Sequence, residues 1–364
     1  MSPEEQLDAL RQALDELDAL LVDSMARRQS LVRRIGALKT RHNLPTRDFR
    51  RERIVFEAVR EQARTAGLEP KLALEVFTAL VEQSLTVQEG DRVASARRGA
   101  GRRALVIGGA GLMGTWFVHL LTEQGYAVDI SDPALSHEDP RLVDWEATSL
   151  DYHRIVVATP LQATGDVLHQ LSKRSTQAVI LDIASVKSPV RQGLHACVSN
   201  GLAVASIHPM FGPDTRLLSG RHVIRISLGD ERADEAVADL FTDTMARVVD
   251  MSLEQHDRAI AFVLGLSHAL NISFGAALEY SGEQARQLAT LSSTTFDAQC
   301  EVAGRVSAEN PSLYYDIQHL NDHGMTALDA LHDAVSSLRD AVRSQDASAF
   351  KALMDGSRRW FEHR

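Results

Sequence analysis

Residues 102–114 constrain the fold of this chain more than any other segment, because they join a short apolar run to a glycine-rich turn and then to a helix. The run Ala104–Ile107 is typical of a buried strand, and Gly109, Gly111 and Gly114 follow it with the spacing G-x-G-x-x-G. The first glycine permits a tight turn, the second lets backbone approach a pyrophosphate, and the third lets helix and strand pack closely. The segment therefore predicts a strand–turn–helix unit that binds a dinucleotide.

The next predicted strand, Ala127–Ile130, indicates which dinucleotide is bound. It is followed closely by Asp132, about 20 residues past the glycines. An acidic residue there suits a ribose 2′-hydroxyl and repels a 2′-phosphate, which favours NAD over NADP. The alternative is a plain glycine turn followed by a solvated aspartate. The residues that we expect to bind the cofactor are Gly109, Gly111, Met113, Gly114, Asp132 and Thr159.

Length and charge limit the classes of protein that remain. A chain of 364 residues can hold two or three domains, and its net charge of −10 argues against a nucleic-acid partner. The two cysteines, Cys197 and Cys300, have neither a disulfide pattern nor a metal-ligand spacing, so we expect no metal site. The start of the chain is acidic, and no apolar run approaches membrane-spanning length. We therefore expect a cytoplasmic protein.

Composition changes along the chain and predicts its domains. Residues 1–89 show helical periodicity almost throughout, whereas residues 90–101 lack an apolar face and predict a linker. In residues 102–251, β-rich runs alternate with helical stretches, which predicts an NAD-binding Rossmann domain with a parallel sheet. Residues 252–364 carry only helix-period segments. The expected fold is an all-α domain, then an α/β domain, then an all-α dimerisation domain. The later predicted strands are Ile155–Ala158, Ala178–Ile183, Val204–Ile207, Val223–Ile226 and Val248–Asp250.

The first predicted helix carries an apolar stripe with one charged residue in it. Leucines recur every three or four residues from Leu7 to Leu21, and the same steps continue through Arg28 to Leu38. A charged residue on an apolar seam needs a partner or a ligand. This stretch alone leaves open whether Arg28 binds a ligand, pairs with an acidic side chain, or lies on the surface of a slightly rotated helix.

The predicted helices carry a set of eight polar residues: Arg11, Arg28, Lys39, Asp48, Arg51, Glu52, Ser84 and Gln88. Position for position, this set resembles the active-site set of the all-helical chorismate mutases, and the resemblance covers residues 4–89. It implies that the arginines and Ser84 bind the two carboxylates of chorismate. Lys39 and Gln88 would donate hydrogen bonds to the ether oxygen. The C4 hydroxyl would be contacted by Asp48 and Glu52. The expected catalytic residues are Lys39, Glu52 and Gln88, and the expected substrate-binding residues are Arg11, Arg28, Asp48, Arg51 and Ser84.

These residue types suit a Claisen rearrangement, which is unimolecular and needs no acid, base or nucleophile. Catalysis then comes from holding a compact conformer and from donors aimed at the oxygen that gains charge as its C–O bond breaks. Planar arginine side chains suit bidentate binding of carboxylates.

The spacing of two of these residues predicts an assembly. Arg11 and Lys39 are 28 residues apart, so one straight helix separates them by about 42 Å. If both serve one site, Arg11 must come from a second chain that lies antiparallel to the first. We therefore expect an intertwined homodimer.

Further chemistry follows the glycine-rich turn. The segment Leu181–Lys187 ends one predicted strand, and His208 ends the next, at the carboxyl edge where such sheets bind ligands. A histidine there can be structural or can act as a base. His256-Asp257 and His268 lie in a long helical segment.

The patterns Gly-Gly-x-Gly-x-Met-Gly, Asp-x-x-Ser-Val-Lys, His-Pro-Met-Phe-Gly-Pro-Asp and Glu-x-His-Asp resemble the prephenate dehydrogenases. With the mutase-like domain in front, the whole chain resembles the bifunctional chorismate mutase–prephenate dehydrogenases of tyrosine biosynthesis. The resemblance implies that His208 takes the proton of the C4 hydroxyl of prephenate as hydride passes to NAD⁺. Ser185 would hydrogen-bond near that hydroxyl. Arg305 would bind a substrate carboxylate, and His268 would meet the pyruvyl side chain. Loss of CO2 then aromatises the ring.

Two departures from the family leave alternatives open. Asp297 stands where enteric relatives carry an arginine, and Ser267 precedes His268 where many single-domain relatives have proline. Both can be neutral changes on a helical surface. Asp297 can also indicate a substrate with a C4 amine, since relatives of both domains process 4-amino-4-deoxychorismate. A different alternative is that residues 1–89 form a non-catalytic dimerisation or effector-sensing module on a dehydrogenase of unrelated substrate.

Overall fold

A computed structural model describes residues 2–363 of the chain. Its helices are α1 (Pro3–Arg41), α2 (Phe49–Thr65), α3 (Pro70–Ala96), α4 (Leu112–Glu123), α5 (Leu161–Leu171), α6 (Arg191–Ser199), α7 (Glu231–Phe241), α8 (Leu253–Ile260), α9 (Ser267–Ser281), α10 (Ala285–Thr290), α11 (Thr294–Ser307), α12 (Pro311–His319), α13 (Gly324–Arg343) and α14 (Ala347–Glu362). Its strands are β1 (Arg103–Ile107), β2 (Ala127–Ser131), β3 (Arg154–Val157), β4 (Val179–Asp182), β5 (Val204–Pro209), β6 (His222–Ile226) and β7 (Arg247–Asp250). The predicted order of an all-α, an α/β and an all-α part is confirmed.

The chain separates into two compact units. The first contains the residues up to Ala158 together with Ser175–Ile183 and Leu202–Asp250. It therefore holds α1–α3, the whole sheet, α4 and α7. The second contains Thr159–Arg174, Ala184–Gly201 and the residues from Met251 onward, which form α5, α6 and α8–α14.

In the first unit, local capping sets the starts of the N-terminal helices. Ser2 and Glu5 form a capping box at the start of α1, and Pro3 occupies a first-turn position where its missing N–H costs nothing. Asp48 is the N-cap of α2 and accepts a hydrogen bond of 2.9 Å from the backbone N–H of Arg51. Another proline, Pro70, opens α3. The first helix is 39 residues long, as the continuous helical spacing of the stripe from Leu7 to Leu38 predicts.

The sheet of the first unit has the strand order β2-β1-β3-β4-β5-β6-β7. All neighbouring strands are parallel except β5 and β6, which pair antiparallel with His208 opposite Ile224. The predicted parallel sheet is therefore confirmed, with this one antiparallel pair as an exception that was not predicted. A parallel return needs a crossover of a dozen or more residues, usually with a helix. Residues 210–221 form no helix, so the chain reverses directly.

The predicted linker at residues 90–101 is also wrong in its first half. Residues 90–96 continue α3, and Val93 is only 3% exposed. Val93 belongs to the same apolar cluster as Ala104, Phe117 and Val128, which form the core around the sheet. The segment lacks an apolar stripe because a single valine provides this contact. The other domain limits remain predictions.

All the regular secondary structure among the described residues of the second unit is helical. α8 continues through a π-helical segment, Ala261–Leu266, into α9. The resulting run, Leu253–Ser281, is long and apolar enough to cross a membrane by length and composition alone. The expectation that no segment approaches such a length is therefore corrected. One helix of this kind is weak evidence for a membrane span, and this one buries polar residues such as His256 and Asn271.

Candidate active sites

The first candidate site lies between α1 and α3, where Arg28 meets Ser84. Nη1 of Arg28 donates to Oγ of Ser84 at 2.5 Å and to the carbonyl of Leu80 at 2.9 Å. Partial burial lowers the pKa of Arg28 below that of a free arginine, although an arginine side chain keeps its charge in proteins. Arg28 interrupts the apolar stripe because it forms a partly buried hydrogen bond with Ser84, another predicted substrate-binding residue.

Gln88 lies one turn after Ser84 on the same face of α3. Its side chain is 8% exposed, and its Nε2 donates to the carbonyl of Ser84 at 3.3 Å. Its Oε1 is buried and has no hydrogen-bond partner among residues 2–363. On α1, a Cβ at Gly36 would come within 2.9 Å of Cγ of Gln88, so the glycine allows the close approach of the two helices. Gln88 thus keeps unused hydrogen-bonding capacity at the mutase-like site.

Lys39 and Glu52 are both held by neighbouring residues. Nζ of Lys39 donates to the carbonyl of Thr46 at 2.6 Å, across the turn between α1 and α2. The carboxylate of Glu52 accepts two hydrogen bonds of 2.8 Å from the guanidinium of Arg47. Arg47 was not among the predicted site residues. The only sequence signal for it is its position five residues before an acidic residue.

The other three predicted mutase residues, Arg11, Asp48 and Arg51, are exposed. Arg11 pairs with Asp8 at 3.3 Å on the surface of α1, far along the helix from Arg28. Arg51 is exposed in the first turn of α2, where its backbone N–H is bound by Asp48. The structure therefore brings together Arg28, Ser84 and Gln88 and leaves Arg11 apart from them.

The glycine-rich turn after β1 has the close contacts that a phosphate-binding turn requires. A Cβ at Gly114 would lie 2.0 Å from the carbonyl oxygen of Gly108, and one at Gly109 would lie 2.7 Å from Cγ2 of Ile130. Gly111 is the N-cap of α4 and supplies no side-chain cap, so N–H groups of the first turn stay available to an anion. Met113, in that turn, packs against the core of the sheet.

Asp132 lies directly after β2, beside this turn. Its Oδ2 accepts a hydrogen bond of 3.0 Å from the backbone N–H of Ala110, and its Oδ1 accepts one of 2.8 Å from Ala134. The side chain is half-buried. These bonds hold the carboxylate next to the turn, where a ribose hydroxyl is expected, so the residues present fit NAD.

His208 lies near the end of β5 and is 5% exposed. Two residues earlier on the same face, Ser206 donates to the carboxylate of Asp182 on β4 at 2.5 Å, and both side chains are fully buried. This polar bridge fixes the two strands to each other close to their carboxyl ends. His208 is therefore held on rigid backbone.

In the second unit, Ser185 lies in a short segment that is anchored by Asp257 of α8. The carboxylate of Asp257 is fully buried and accepts hydrogen bonds from the backbone N–H groups of Lys187, at 2.8 Å, and Ser188, at 2.5 Å. It also accepts from the hydroxyl of Ser188 and pairs with Nδ1 of His256 at 2.7 Å. The Glu-x-His-Asp pattern thus fixes the segment that carries Ser185.

The charge of Asp257 depends on these bonds. Burial by itself would raise the pKa of this carboxyl group, but the hydrogen bonds from His256, Ser188 and Lys187 outweigh burial and lower the pKa below its ordinary value. The carboxylate is therefore ionised at neutral pH. Sequence analysis singled out His256-Asp257 but did not assign it this supporting role, because its partners lie about 70 residues away in the chain.

His268 stacks on Tyr314, with ring centroids 4.1 Å apart. Its Nδ1 is buried without a partner among residues 2–363, and burial lowers the pKa of His268, which favours the neutral imidazole.

The other two predicted residues of the second unit lie elsewhere in that unit. Arg305 lies exposed in the last turn of α11, 3.8 Å from Glu301. Thr159 precedes α5, and its hydroxyl lies 2.9 Å from that of Thr164.

Asp297 has a local structural role. It lies exposed in the first turn of α11, where a negative charge suits the helix dipole, and it accepts a hydrogen bond from Ser292. This environment explains an aspartate at position 297 without any reference to substrate.

Three family models match the chain in succession. They are chorismate mutase type II at residues 10–89, the nucleotide-binding domain of prephenate dehydrogenase at residues 127–250, and the dimerization domain of prephenate dehydrogenase at residues 252–356.

Individual relatives agree with this order. A T-protein from Enterobacter agglomerans is 28% identical over 359 residues, which cover 98% of this chain and 93% of that protein. A 4-amino-4-deoxyprephenate dehydrogenase from Streptomyces pristinaespiralis is 29% identical over 263 residues, 69% of this chain and 88% of that protein. The prephenate dehydrogenase from A. aeolicus, solved with hydroxyphenyl propionate and NAD+, shares the fold of 72% of this chain and 98% of its own, with a TM-score of 0.54 and 18% identity. The matches to both enzymatic parts, and to a T-protein over nearly the full length, place this chain in the bifunctional chorismate mutase–prephenate dehydrogenase family.

Proposed function

We propose that α1–α3 convert chorismate to prephenate and that the rest of the chain converts prephenate to 4-hydroxyphenylpyruvate by NAD-dependent oxidative decarboxylation. The observation that carries the proposal is the contact of Arg28 with Ser84, beside the unsatisfied amide of Gln88. A helix-only dimerisation module has no need of a cation and a buried amide on the apolar seam between its helices.

In the mutase step, Arg28 and Ser84 bind a carboxylate of chorismate and hold the compact conformer. The second N–H of Gln88 Nε2, whose other N–H donates to the carbonyl of Ser84, stabilises the charge that grows on the ether oxygen as the C–O bond breaks, together with the ammonium of Lys39. Glu52, fixed by Arg47, contacts the C4 hydroxyl. Asp48 and Arg51 lie at the start of α2 and complete the polar rim.

In the dehydrogenase step, bound NAD⁺ would supply the hydride acceptor. Its pyrophosphate would be held by Gly109, Gly111 and Gly114, and its ribose by Asp132. Thr159 and Met113 would contact the cofactor as well.

The side chains of the substrate site have separate roles in that step. His208 accepts the proton of the C4 hydroxyl, which requires a neutral imidazole, so turnover falls at acid pH. Ser185 hydrogen-bonds near this hydroxyl. Arg305 binds a carboxylate of prephenate, and the neutral imidazole of His268 meets the pyruvyl side chain.

The mutase part works as a homodimer in this proposal. Leu7, Leu10, Leu14, Leu17 and Leu21 are each 47–70% exposed along one stripe of α1. An apolar stripe of this length on a soluble protein is covered by a partner. An antiparallel α1 from a second chain would cover it and would bring Arg11 of that chain towards Lys39. The assignments of residues 1–89, 102–251 and 252–364 as domains, and of the protein to the cytoplasm, belong to the same proposal.

The alternative substrate with a C4 amine is less supported. The T-protein relative matches 98% of this chain, through both enzymatic parts, whereas the 4-amino-4-deoxyprephenate dehydrogenase matches 69%. The aspartate that suggested an amine is explained by its own helix turn.

The test is to offer chorismate and, separately, 4-amino-4-deoxychorismate to the purified full-length protein. Loss of chorismate without NAD⁺ reports the mutase, and NADH formation with NAD⁺ reports the dehydrogenase. We expect strong turnover of chorismate, with 4-hydroxyphenylpyruvate as product. A strong preference for the amino compound would favour the alternative. A dimer that forms NADH from prephenate but does not consume chorismate would show that the helical part is non-catalytic.

A further inference from the structure

The connection between β5 and β6, residues 210–221, reaches the side chains that support the mutase-like site. Nη1 of Arg47 donates to the hydroxyl of Ser219 at 2.7 Å, across 172 residues of sequence. The Nε and Nη2 atoms of the same guanidinium donate two hydrogen bonds to the carboxylate of Glu52. Ser219 therefore restrains the guanidinium of Arg47, which in turn orients the predicted catalytic residue Glu52.

A second contact lies at the neighbouring residue of the connection. The carboxylate of Glu89 accepts a hydrogen bond of 2.8 Å from the backbone N–H of Leu218 and another from that of Met245. Glu89 is 4% exposed, and burial raises its pKa while these two hydrogen bonds act in the opposite direction. Because Glu89 directly follows Gln88 on α3, its anchoring limits the rotation of the helix that presents Gln88.

The connection is itself held in place at a third point. Nε1 of Trp116 on α4 donates to the carbonyl of Thr215 at 2.9 Å, and the connection begins immediately after His208-Pro209. It is thus a fixed element of the nucleotide-binding part, with contacts to two residues that lie next to mutase residues.

Resting on the proposed function of Glu52 and Gln88, we propose that residues 218–219 of the dehydrogenase half are positioning residues of the mutase. Ser219 orients Glu52 through Arg47, and the N–H of Leu218 orients Gln88 through Glu89. The mutase-like helices alone therefore lack part of the scaffold of their own site. A change in this connection should impair the rearrangement while the oxidation of prephenate continues, because neither Ser219 nor Glu89 touches a dehydrogenase substrate or cofactor residue in the described contacts.

The central experiment is Ser219→Ala in the full-length chain, with kcat and KM of both activities measured separately. Loss of one charge-assisted hydrogen bond should lower the mutase kcat roughly tenfold, with a smaller change in the KM for chorismate. NADH formation from prephenate should stay within about twofold of the wild type, which also reports that the chain is folded. Ser227→Ala is the control, because the hydroxyl of Ser227 also hydrogen-bonds a charged side chain, that of Asp234, elsewhere in the same unit, and accepts a further bond from the N–H of Gly229.

A double-mutant cycle separates positioning from general destabilisation. Arg47→Ala should lower the mutase kcat, and Ser219→Ala should add little in that background, because the bond it removes is already gone. Ser219→Thr, which keeps the hydroxyl, should restore most of the activity. For the second contact, Glu89→Gln should lower the mutase kcat and Glu89→Asp should lower it less.

The outcomes distinguish this inference from the function on which it rests. If the wild type consumes chorismate and Ser219→Ala keeps the full mutase kcat, the positioning role is wrong and the mutase assignment stands. If mutase and dehydrogenase fall together, or the effects of Arg47→Ala and Ser219→Ala simply add, the contact is structural only and the inference is overturned. If the wild type consumes no chorismate, the proposed function fails and the positioning role fails with it.

Discussion

Arg28 of α1 and Ser84 of α3 form a hydrogen bond of 2.5 Å between residues that are 56 positions apart in the chain. The bond places a cation and a hydroxyl side by side on the apolar seam of the helices. Gln88 lies one turn further along α3 and has buried hydrogen-bonding capacity that no described residue uses. Arg28 and the remaining N–H of Gln88 Nε2 can both donate to an anionic substrate, whereas the unpaired Oε1 of Gln88 can only accept.

Arg28→Ala should reduce the mutase kcat/KM by roughly 10²–10³, because it removes a preorganised donor to a charged group. Arg27→Ala is a closely matched control: Arg27 is the adjacent residue, but it points to solvent and pairs with Asp23. Chorismate consumption by both variants checks the prediction, and NADH formation from prephenate should remain. Equal losses in the two variants would contradict a role of Arg28 in binding.

Mixing two inactive variants should restore mutase activity if each site draws Arg11 from one chain and Arg28 from the other. In a mixture of Arg11→Ala and Arg28→Ala subunits, unfolded and refolded together, half of the dimers are mixed. Each mixed dimer then has one intact site, so about a quarter of the wild-type activity should return. Each variant refolded alone provides the baseline. No recovery in a mixture with proven mixed dimers would show that Arg11 does not serve the partner's site.

His208→Asn should lower NADH formation from prephenate by roughly 10²–10⁴, the contribution typical of a general base. The mutase should be unaffected, since His208 lies on β5 and the predicted mutase residues lie on or between α1, α2 and α3. His222→Asn, at the exposed start of β6, controls for the loss of a histidine from the same strand pair. Equal loss of both activities in His208→Asn would mean that the substitution damages the fold instead of the chemistry.

The sequence predicted the positions of the strands and helices better than it predicted how they pair and which side chains they bring into contact. All seven expected strands end within two residues of the observed ends, because β-rich runs bounded by turns are a local signal. The direction of β6 could not be predicted from such a local signal, since it depends on the path that residues 210–221 take between β5 and β6. The contact of Arg28 with Ser84 was accessible through the interrupted apolar stripe. Arg47, Glu89 and Ser188 were not, because each acts through a partner that only the tertiary fold brings near.

Acid should destabilise the protein through Asp257. The pKa of this carboxyl group lies below its ordinary value in the folded chain, so its contribution to stability is complete above the unfolded pKa of about 4 and is lost as the pH falls from there through the folded pKa. Asp257→Asn should lower the free energy of unfolding at pH 7 by about 1–3 kcal/mol. The difference between this variant and the wild type should shrink below about pH 4.

Urea unfolding at a series of pH values measures this difference. Asp322→Asn is the control, because Asp322 is 60% exposed and pairs with Arg191 at the surface. A difference between wild type and Asp257→Asn that stays constant from pH 7 to pH 3 would contradict the assignment of a low pKa to Asp257.

The continuation of α3 to Ala96 decides where this gene can be recombined. A cut at Gly90, where composition changes, would divide the helix whose Val93 packs in the core of the sheet. It would also separate Glu89 from the N–H groups of Leu218 and Met245 that it binds. The first natural break in the backbone comes at Arg97, which ends the helix in the left-handed conformation with φ of 46°. A chimera that exchanges one mutase for another should therefore join after Arg97, and it should keep the incoming helix in register with the sheet on which it packs.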